Sequence, residues 1–264
     1  MEFLDVPPGR IAYRLTGEGP LVVLVHGMGD THRTFRHLVP RLSGYRVAAM
    51  DVRGYGHSTG SWDDHGVEAI GADVLALIER LGGPAIVVGH SIGCSSAVWA
   101  AAESPESVTG LGLIAPFSGD APIKTWMRAA SWLVGRTPWL WGMFLRSCYP
   151  TARPDDFDAC LAELKASLGR PGGMAPLRAQ IALSLSGVRN RYAEVRQPSL
   201  VVMGTKDADF ADPAADAAGT AAKLGGPAEV RMIEAAGHYP HAEMPERTAE
   251  ALLPFLATAR SPIA

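Results

Sequence analysis

Cysteine is scarce, with only Cys94, Cys148 and Cys160 in 264 residues. An odd count without a C-x-x-C pair excludes a disulfide framework and a cysteine-built zinc site, and it suits a reduced cytoplasmic chain. Basic residues are also few: 24 Lys and Arg stand against 27 Asp and Glu, a formal net charge of -3. They form no run, so nucleic acid is not an expected partner. Long apolar runs are missing too. The nearest candidate for a membrane span, residues 126–146, is broken by Arg128, Arg136 and Pro138. The opening stretch MEFLDVPPGRIAYRL carries Glu2 and Asp5 and meets Pro7-Pro8 before any apolar segment, so it does not read as a signal peptide. The expectation is a soluble protein without stable membrane insertion.

What the chain does have is a series of short aliphatic runs: 21–25 (LVVLV), 45–51, 84–89, 108–116, 198–204 and 228–234. Continuous rather than alternating apolarity is what strands need when a parallel sheet is covered on both faces. Helical patterns at 31–42, 66–81, 92–103, 213–224 and 243–259 separate them, so the expected class is α/β with a mostly parallel, doubly wound sheet. Phe3–Val6 and Arg10–Leu15, flanking Pro7-Pro8-Gly9, read as an N-terminal antiparallel hairpin. The rhythm fails once. Residues 117–196 contain no strand-like run, only helical segments at 123–135, 138–148, 154–168 and 174–193. A helical block between two consecutive strands is expected to cap the carboxyl edge of the sheet, where open α/β sheets hold ligands. The expected division is therefore a core of 1–116 and 197–264 with a helical cap at 117–196.

The run 84–89 ends at Gly89-His90-Ser91-Ile92-Gly93, a G-x-S-x-G pentapeptide on a strand-to-helix corner. A serine there needs a strained backbone and small flanking residues; the plain alternative is a glycine-rich turn with a helix-capping serine. A serine hydroxyl becomes a nucleophile only when a carboxylate-held histidine takes its proton. His238 follows the last strand-like run, and Asp207 follows the one before it. Ser91, Asp207 and His238 would then meet on one edge of a parallel sheet. His241 competes with His238, and Asp209, Asp212 and the more distant Asp120 compete with Asp207. Asp207 is preferred as the first side chain able to clear the strand end after Gly204.

These residues resemble the α/β-hydrolase fold family over essentially the whole chain. His26-Gly27-Met28-Gly29 is similar to the family's oxyanion loop, and the segment from Asp51 to Ser58 resembles its D-x-R-G-x-G-x-S motif. The resemblance implies Ser91 as nucleophile, His238 as base, Asp207 as acid, and the backbone N–H groups of Met28 and Ile92 as oxyanion donors. It also implies that a serine, rather than an aspartate, at the elbow argues against dehalogenase and epoxide-hydrolase chemistry. His26, His90 and Arg53 are expected to hold loops in place, and Cys94 to pack as a small apolar residue. Trp126, Trp132, Trp139 and Trp141 fall in the cap and are candidates for an apolar substrate pocket.

The activity implied is that of a serine hydrolase acting on a small-molecule ester, lactone or thioester, with no metal or organic cofactor needed. A ligand sensor on the same scaffold, an acyltransferase or perhydrolase, and a C–C bond hydrolase remain alternatives.

Overall fold

The continuous apolar runs form the middle of one sheet, and their neighbours in sequence form its covers. The computed structural model describes residues 1–117, 132–183, 188 and 190–259. Among these, the strands are β1 (Glu2–Val6), β2 (Gly9–Thr16), β3 (Leu21–Val25), β4 (Arg46–Met50), β5 (Thr59–Gly60), β6 (Ala85–His90), β7 (Val108–Ile114), β8 (Ser199–Gly204) and β9 (Ala228–Ile233). Their spatial order is β1-β2-β4-β3-β6-β7-β8-β9, with β5 set against β2. β1 and β2 pair antiparallel, as do β2 and β4, while every pair from β4 across to β9 is parallel. The expected sheet, parallel with an antiparallel hairpin at its start, is the one observed. The two-residue β5 carried no sequence signal, because its partner Gly9–Arg10 supplies the only pairing.

Every residue of β3, β6 and β8 is buried, as two covered faces demand. Alternate residues serve different cores. Val23, Val25 and Val87 pack on the side of helices α1 (Val67–Arg80) and α2 (Ile92–Glu103), whereas Val22, Leu24, Ile86 and Val88 pack with Phe35, Leu252 and Leu256. α1 buries Val67, Ile70, Val74, Leu77 and Ile78, an i, i+3/i+4 stripe. Gly71 lets α2 close in, since a Cβ there would stand 2.4 Å from Trp99 Cε3.

Between β7 and β8 lie α3 (Pro138–Ser147), α4 (Phe157–Leu168) and α5 (Ala175–Ala182). After β8 come α6 (Pro213–Lys223), the four-residue α7 (Pro240–Glu243) and α8 (Pro245–Ala259). Of the helix expected at 123–135, residues 123–131 lie outside the described residues and 132–134 are helical. The expected helix at 31–42 is corrected to two 3-10 turns, His32–Phe35 and Val39–Arg41. Pro40 removes a donor in the second turn, and the first is anchored at its start by the N–H of His32 on the Asp51 carboxylate at 2.8 Å. Within 174–193 the described residues form α5 and a 3-10 turn at Asn190–Glu194, and residues 184–187 and 189 lie outside the described residues. The pattern at 243–259 begins three residues early and is divided between α7 and α8. No helix among the described residues is long and apolar enough to cross a membrane.

Candidate active site

Ser91 sits where β6 turns into α2, with φ 52° and ψ -123°. Left-handed φ is costly for a residue with a Cβ, and it persists only where the surroundings fix it. Here the Ser91 N–H donates to Ile114 O at 2.9 Å. The flanking glycines are obligatory: a Cβ on Gly89 would lie 2.5 Å from Gly93 O, and one on Gly93 would lie 2.5 Å from Val25 O. The Ser91 side chain does not cap α2, which removes the capping-serine alternative. Its hydroxyl has no hydrogen-bond partner among the described residues. In free enzymes the nucleophile–base bond is often long and closes with substrate.

His238 follows β9 and is 6% exposed; Asp207 follows β8 and is 2% exposed. The imidazole donates from Nδ1 to Asp207 Oδ2 at 2.8 Å, which fixes the tautomer of the neutral ring with its lone pair on Nε2. Asp209 Oδ2 lies 3.5 Å from the same Nδ1. Burial on its own would lower the His238 pKa, but the Asp207 and Asp209 carboxylates together outweigh it and lift it to about 9. The elbow and the histidine loop are tied together: His90 Nε2 donates to His238 O at 2.9 Å, and the two rings stand 5.0 Å apart.

The other histidines are engaged elsewhere. His26 donates from Nδ1 to Gly27 O at 2.7 Å and accepts from Val52 N–H at Nε2, 2.9 Å away, so it holds the loop carrying Met28. Burial above all lowers its pKa to about 4. His241 pairs through Nε2 with Thr34 Oγ1 at 2.8 Å and is lowered to about 3, again chiefly by burial. Among the described residues no carboxylate bonds it, so it lacks what His238 has. Of the rival acids, Asp212 caps α6 by accepting from Ala215 N–H at 3.0 Å, and Asp120 lies outside the described residues. Arg53 holds its own loop by a bidentate pair with Asp73, 2.7 Å on each arm. Cys94 is buried with its thiol against Gly89 O and Ile114 O, and burial pushes its pKa up.

Met28 is half-buried and Ile92 is buried at the first position of α2, where a backbone N–H has no intrahelical acceptor. Gly27 brings their two loops together, because a Cβ on it would stand 3.1 Å from Ser91 Cβ. The tryptophans separate. Trp141 is buried and donates from Nε1 to Gly29 O at 2.8 Å, so α3 rests on the loop after β3. Gly29, at φ 63°, leaves room for that indole. Trp132 and Trp139 are 60% and 63% exposed. Arg136 covers the Trp132 ring at 4.4 Å, and Trp139 lies on the face of α3 opposite buried Trp141 and Leu145. Trp126 lies outside the described residues. Glu243 was not foreseen: its buried carboxylate accepts from Thr151 and Ala152 N–H at 2.8 and 2.9 Å and from Gly237 N–H at 2.6 Å. The signal was an acid inside the apolar stretch PHAEMP.

Among the described residues, two groups bring three possible metal ligands within 4.8 Å of one another, His32–Asp51–His57 and Asp207–Asp209–His238. Asp51 already accepts from His32 and His57, and Asp207 from His238 Nδ1 and the Asp209 N–H, whereas the Asp209 carboxylate approaches Nδ1 only at 3.5 Å. The second can hold an imidazole as a proton acceptor beside a nucleophile.

The family model described as the alpha/beta hydrolase family matches residues 22–251. Epoxide hydrolase B of Mycobacterium tuberculosis is 37% identical over 125 residues, which span 45% of this chain and only 33% of that relative's length. The 2-(acetamidomethylene)succinate hydrolase of Mesorhizobium japonicum is 28% identical over 94% of this chain and 92% of its own. An esterase of Thermogutta terrifontis, solved with malate bound, superposes at a TM-score of 0.81 and 23% identity over 99% of this chain and 100% of its own, a likeness of fold.

Proposed function

The chain belongs to the α/β hydrolase family, and from that premise we propose that it is a serine hydrolase cleaving a carboxylic ester or related acyl compound through Ser91, His238 and Asp207. The observation that carries the reading is the His238 imidazole, bonded through Nδ1 to a buried carboxylate at 2.8 Å and tied through its carbonyl to the residue preceding a strained serine.

Ser91 Oγ attacks the substrate carbonyl carbon while its proton passes to His238 Nε2. Asp207 stabilises the imidazolium that results. The tetrahedral oxyanion is met by the N–H groups of Met28 and Ile92, each such donor being worth roughly a hundredfold or more in rate. Collapse expels the alcohol or thiol, which takes the proton from Nε2. A water then gives its proton to Nε2 and attacks the acyl-enzyme carbonyl, and the acid leaves as Ser91 Oγ takes that proton back.

The relative named as an epoxide hydrolase raises a second chemistry, which the serine disfavours. A serine that opened an epoxide would be left as an ether, without a carbonyl for water to attack, and turnover would stop. An acyl-enzyme has that carbonyl. We take residues 117–196 as the cap over the site, supported by the seat of Trp141 on Gly29 and by the bond from His238 N–H to Cys148 O at 3.1 Å.

The test combines p-nitrophenyl esters of graded acyl length with a covalent phosphonate. Turnover should be lost by about 10⁴-fold or more in Ser91→Ala, and the phosphonate should label Ser91 with one equivalent per chain. Label on another residue, or an active Ser91→Ala, overturns the reading. Stoichiometric acylation without release would mark a sensor instead.

A further inference from the structure

We propose that Asp209 is a second positioning carboxylate for His238, sharing with Asp207 the charge that develops on the imidazole and retaining part of its orientation when Asp207 is removed. This rests on the reading of His238 as the base.

The geometry is a turn that aims two carboxylates at one nitrogen. Asp209 N–H donates to Asp207 Oδ1 at 3.1 Å, which folds the two side chains onto the same side of Ala208. Asp207 Oδ2 then reaches His238 Nδ1 at 2.8 Å and Asp209 Oδ2 reaches it at 3.5 Å. The two differ in surroundings. The Asp207 side chain is wholly buried, whereas that of Asp209 is 36% exposed. Asp207 therefore supplies the directional bond, and Asp209 supplies charge from the solvent side.

The other groups packed around the ring carry little charge that could do the same work. From the end of β6 comes His90, and from the histidine's own segment come Tyr239, with rings 5.6 Å apart, and His241. Burial foremost holds both His90 and His241 neutral and Tyr239 protonated. From the end of α3 come the Cys148 carbonyl and thiol, the latter kept protonated by burial and by the surrounding carboxylates. Asp30 and Glu243 lie farther out, acting on Cys148 and Tyr239. An anion 3.5 Å from Nδ1 favours the imidazolium in the free enzyme as well as in the tetrahedral intermediate. A proton acceptor of this kind becomes available only as the pH rises.

The experiment is the pH dependence of kcat/KM for a p-nitrophenyl ester, measured on the full chain as wild type, Asp209→Asn, Asp209→Glu, Asp207→Asn and the double variant Asp207→Asn/Asp209→Asn. The ascending limb should move to lower pH by about one unit in Asp209→Asn and stay in place in Asp209→Glu. Asp207→Asn should keep a residual rate that the second substitution lowers by a further tenfold or so, as expected for groups acting on one ring. NMR titration of the His238 Cε1–H resonance should shift in the same direction, and it needs no turnover. A limb and a resonance in Asp209→Asn that overlay the wild type would overturn the proposal. If His238→Ala remained active, the reading of the base would fall; if it were dead while the limb stood still, only the role of Asp209 would fall.

Discussion

Two regions at the carboxyl edge of the sheet combine aspartate with histidine in opposite ratios. After β3 and β4, one carboxylate serves two imidazoles. Asp51 Oδ1 accepts from the N–H and Nδ1 of His32, both at 2.8 Å, and Oδ2 accepts from the N–H of His57 at 2.8 Å and from its Nδ1 at 3.2 Å. After β8 and β9, one imidazole faces two carboxylates. A carboxylate offers about four acceptor sites, and those of Asp51 are filled by groups that pin two loops. Burial would raise the Asp51 pKa, yet the hydrogen bond and charge of His32 prevail and hold it at about 2. Gly56, at φ 58°, is the residue that lets the chain pass so close to that carboxylate. Asp207 has one imidazole and one loop N–H, and the imidazole keeps its far nitrogen open. The ratio of donors to acceptors, more than the residue types, separates a clasp from a proton acceptor.

The sharpest way to break this comparison is to neutralise each carboxylate in turn. Asp207→Asn should lower kcat/KM by about 10⁴-fold, or about 5.5 kcal/mol in the barrier, because the amide favours the wrong tautomer. Asp51→Asn should leave turnover within a few-fold at a temperature where circular dichroism shows both variants folded. Equal losses would erase the distinction.

Next in size is the pH dependence of stability, where buried histidines carry opposite signs. His26 and His241 are depressed in the folded state to about 4 and about 3 from an unfolded value of 6.5. Their contribution is present above pH 6.5 and is lost as pH falls through the folded values. His238 is raised to about 9, so its contribution is full below 6.5 and is lost as pH rises through 9. Asp30, lifted by burial to about 6, offsets part of the acid limb. Urea midpoints at pH 4.5, 6.5 and 9.5 should peak at the middle value, with a drop of several kcal/mol on the acid side. A rise from 6.5 to 4.5 would contradict the assignment. Smaller again is the structural loss in Asp51→Asn, about 3 kcal/mol, since the amide presents an NH₂ to N–H donors that need an acceptor. Thermal unfolding measures it.

Much of the candidate site was legible because its members sit at strand ends. A parallel sheet carries Ser91, Asp207 and His238 to one edge whatever the loops do, and Gly89 and Gly93 mark the close approach of strand and helix. The local pattern was blind to contacts made across the chain. The segment 31–42 has a helical pattern, yet it folds as two 3-10 turns, the first anchored across the chain at His32 by Asp51. Glu243 looks like a surface acid until the 148–152 segment is laid against it. Trp132, Trp139 and Trp141 have the same composition cue, and only the packing of α3 on Gly29 divides them into one buried side chain and two exposed ones.

The smallest effect probes the rival histidine. Thr34 belongs to the first region and His241 to the second, and their bond at 2.8 Å is the one polar contact of the His241 ring among the described residues, since Nδ1 is buried without a partner. Thr34→Val keeps the shape and removes the hydroxyl, leaving Nε2 unpaired as well. A lost buried hydrogen bond of this kind costs about 1 kcal/mol, and Thr34→Ser should restore most of it. If His241 were the base, the same change would unmoor it, and kcat/KM would fall well beyond what the fraction of folded protein explains. With His238 as base, the rate per folded molecule and its pH limb should both stay where they were, so a shift in either reopens the choice between the two imidazoles.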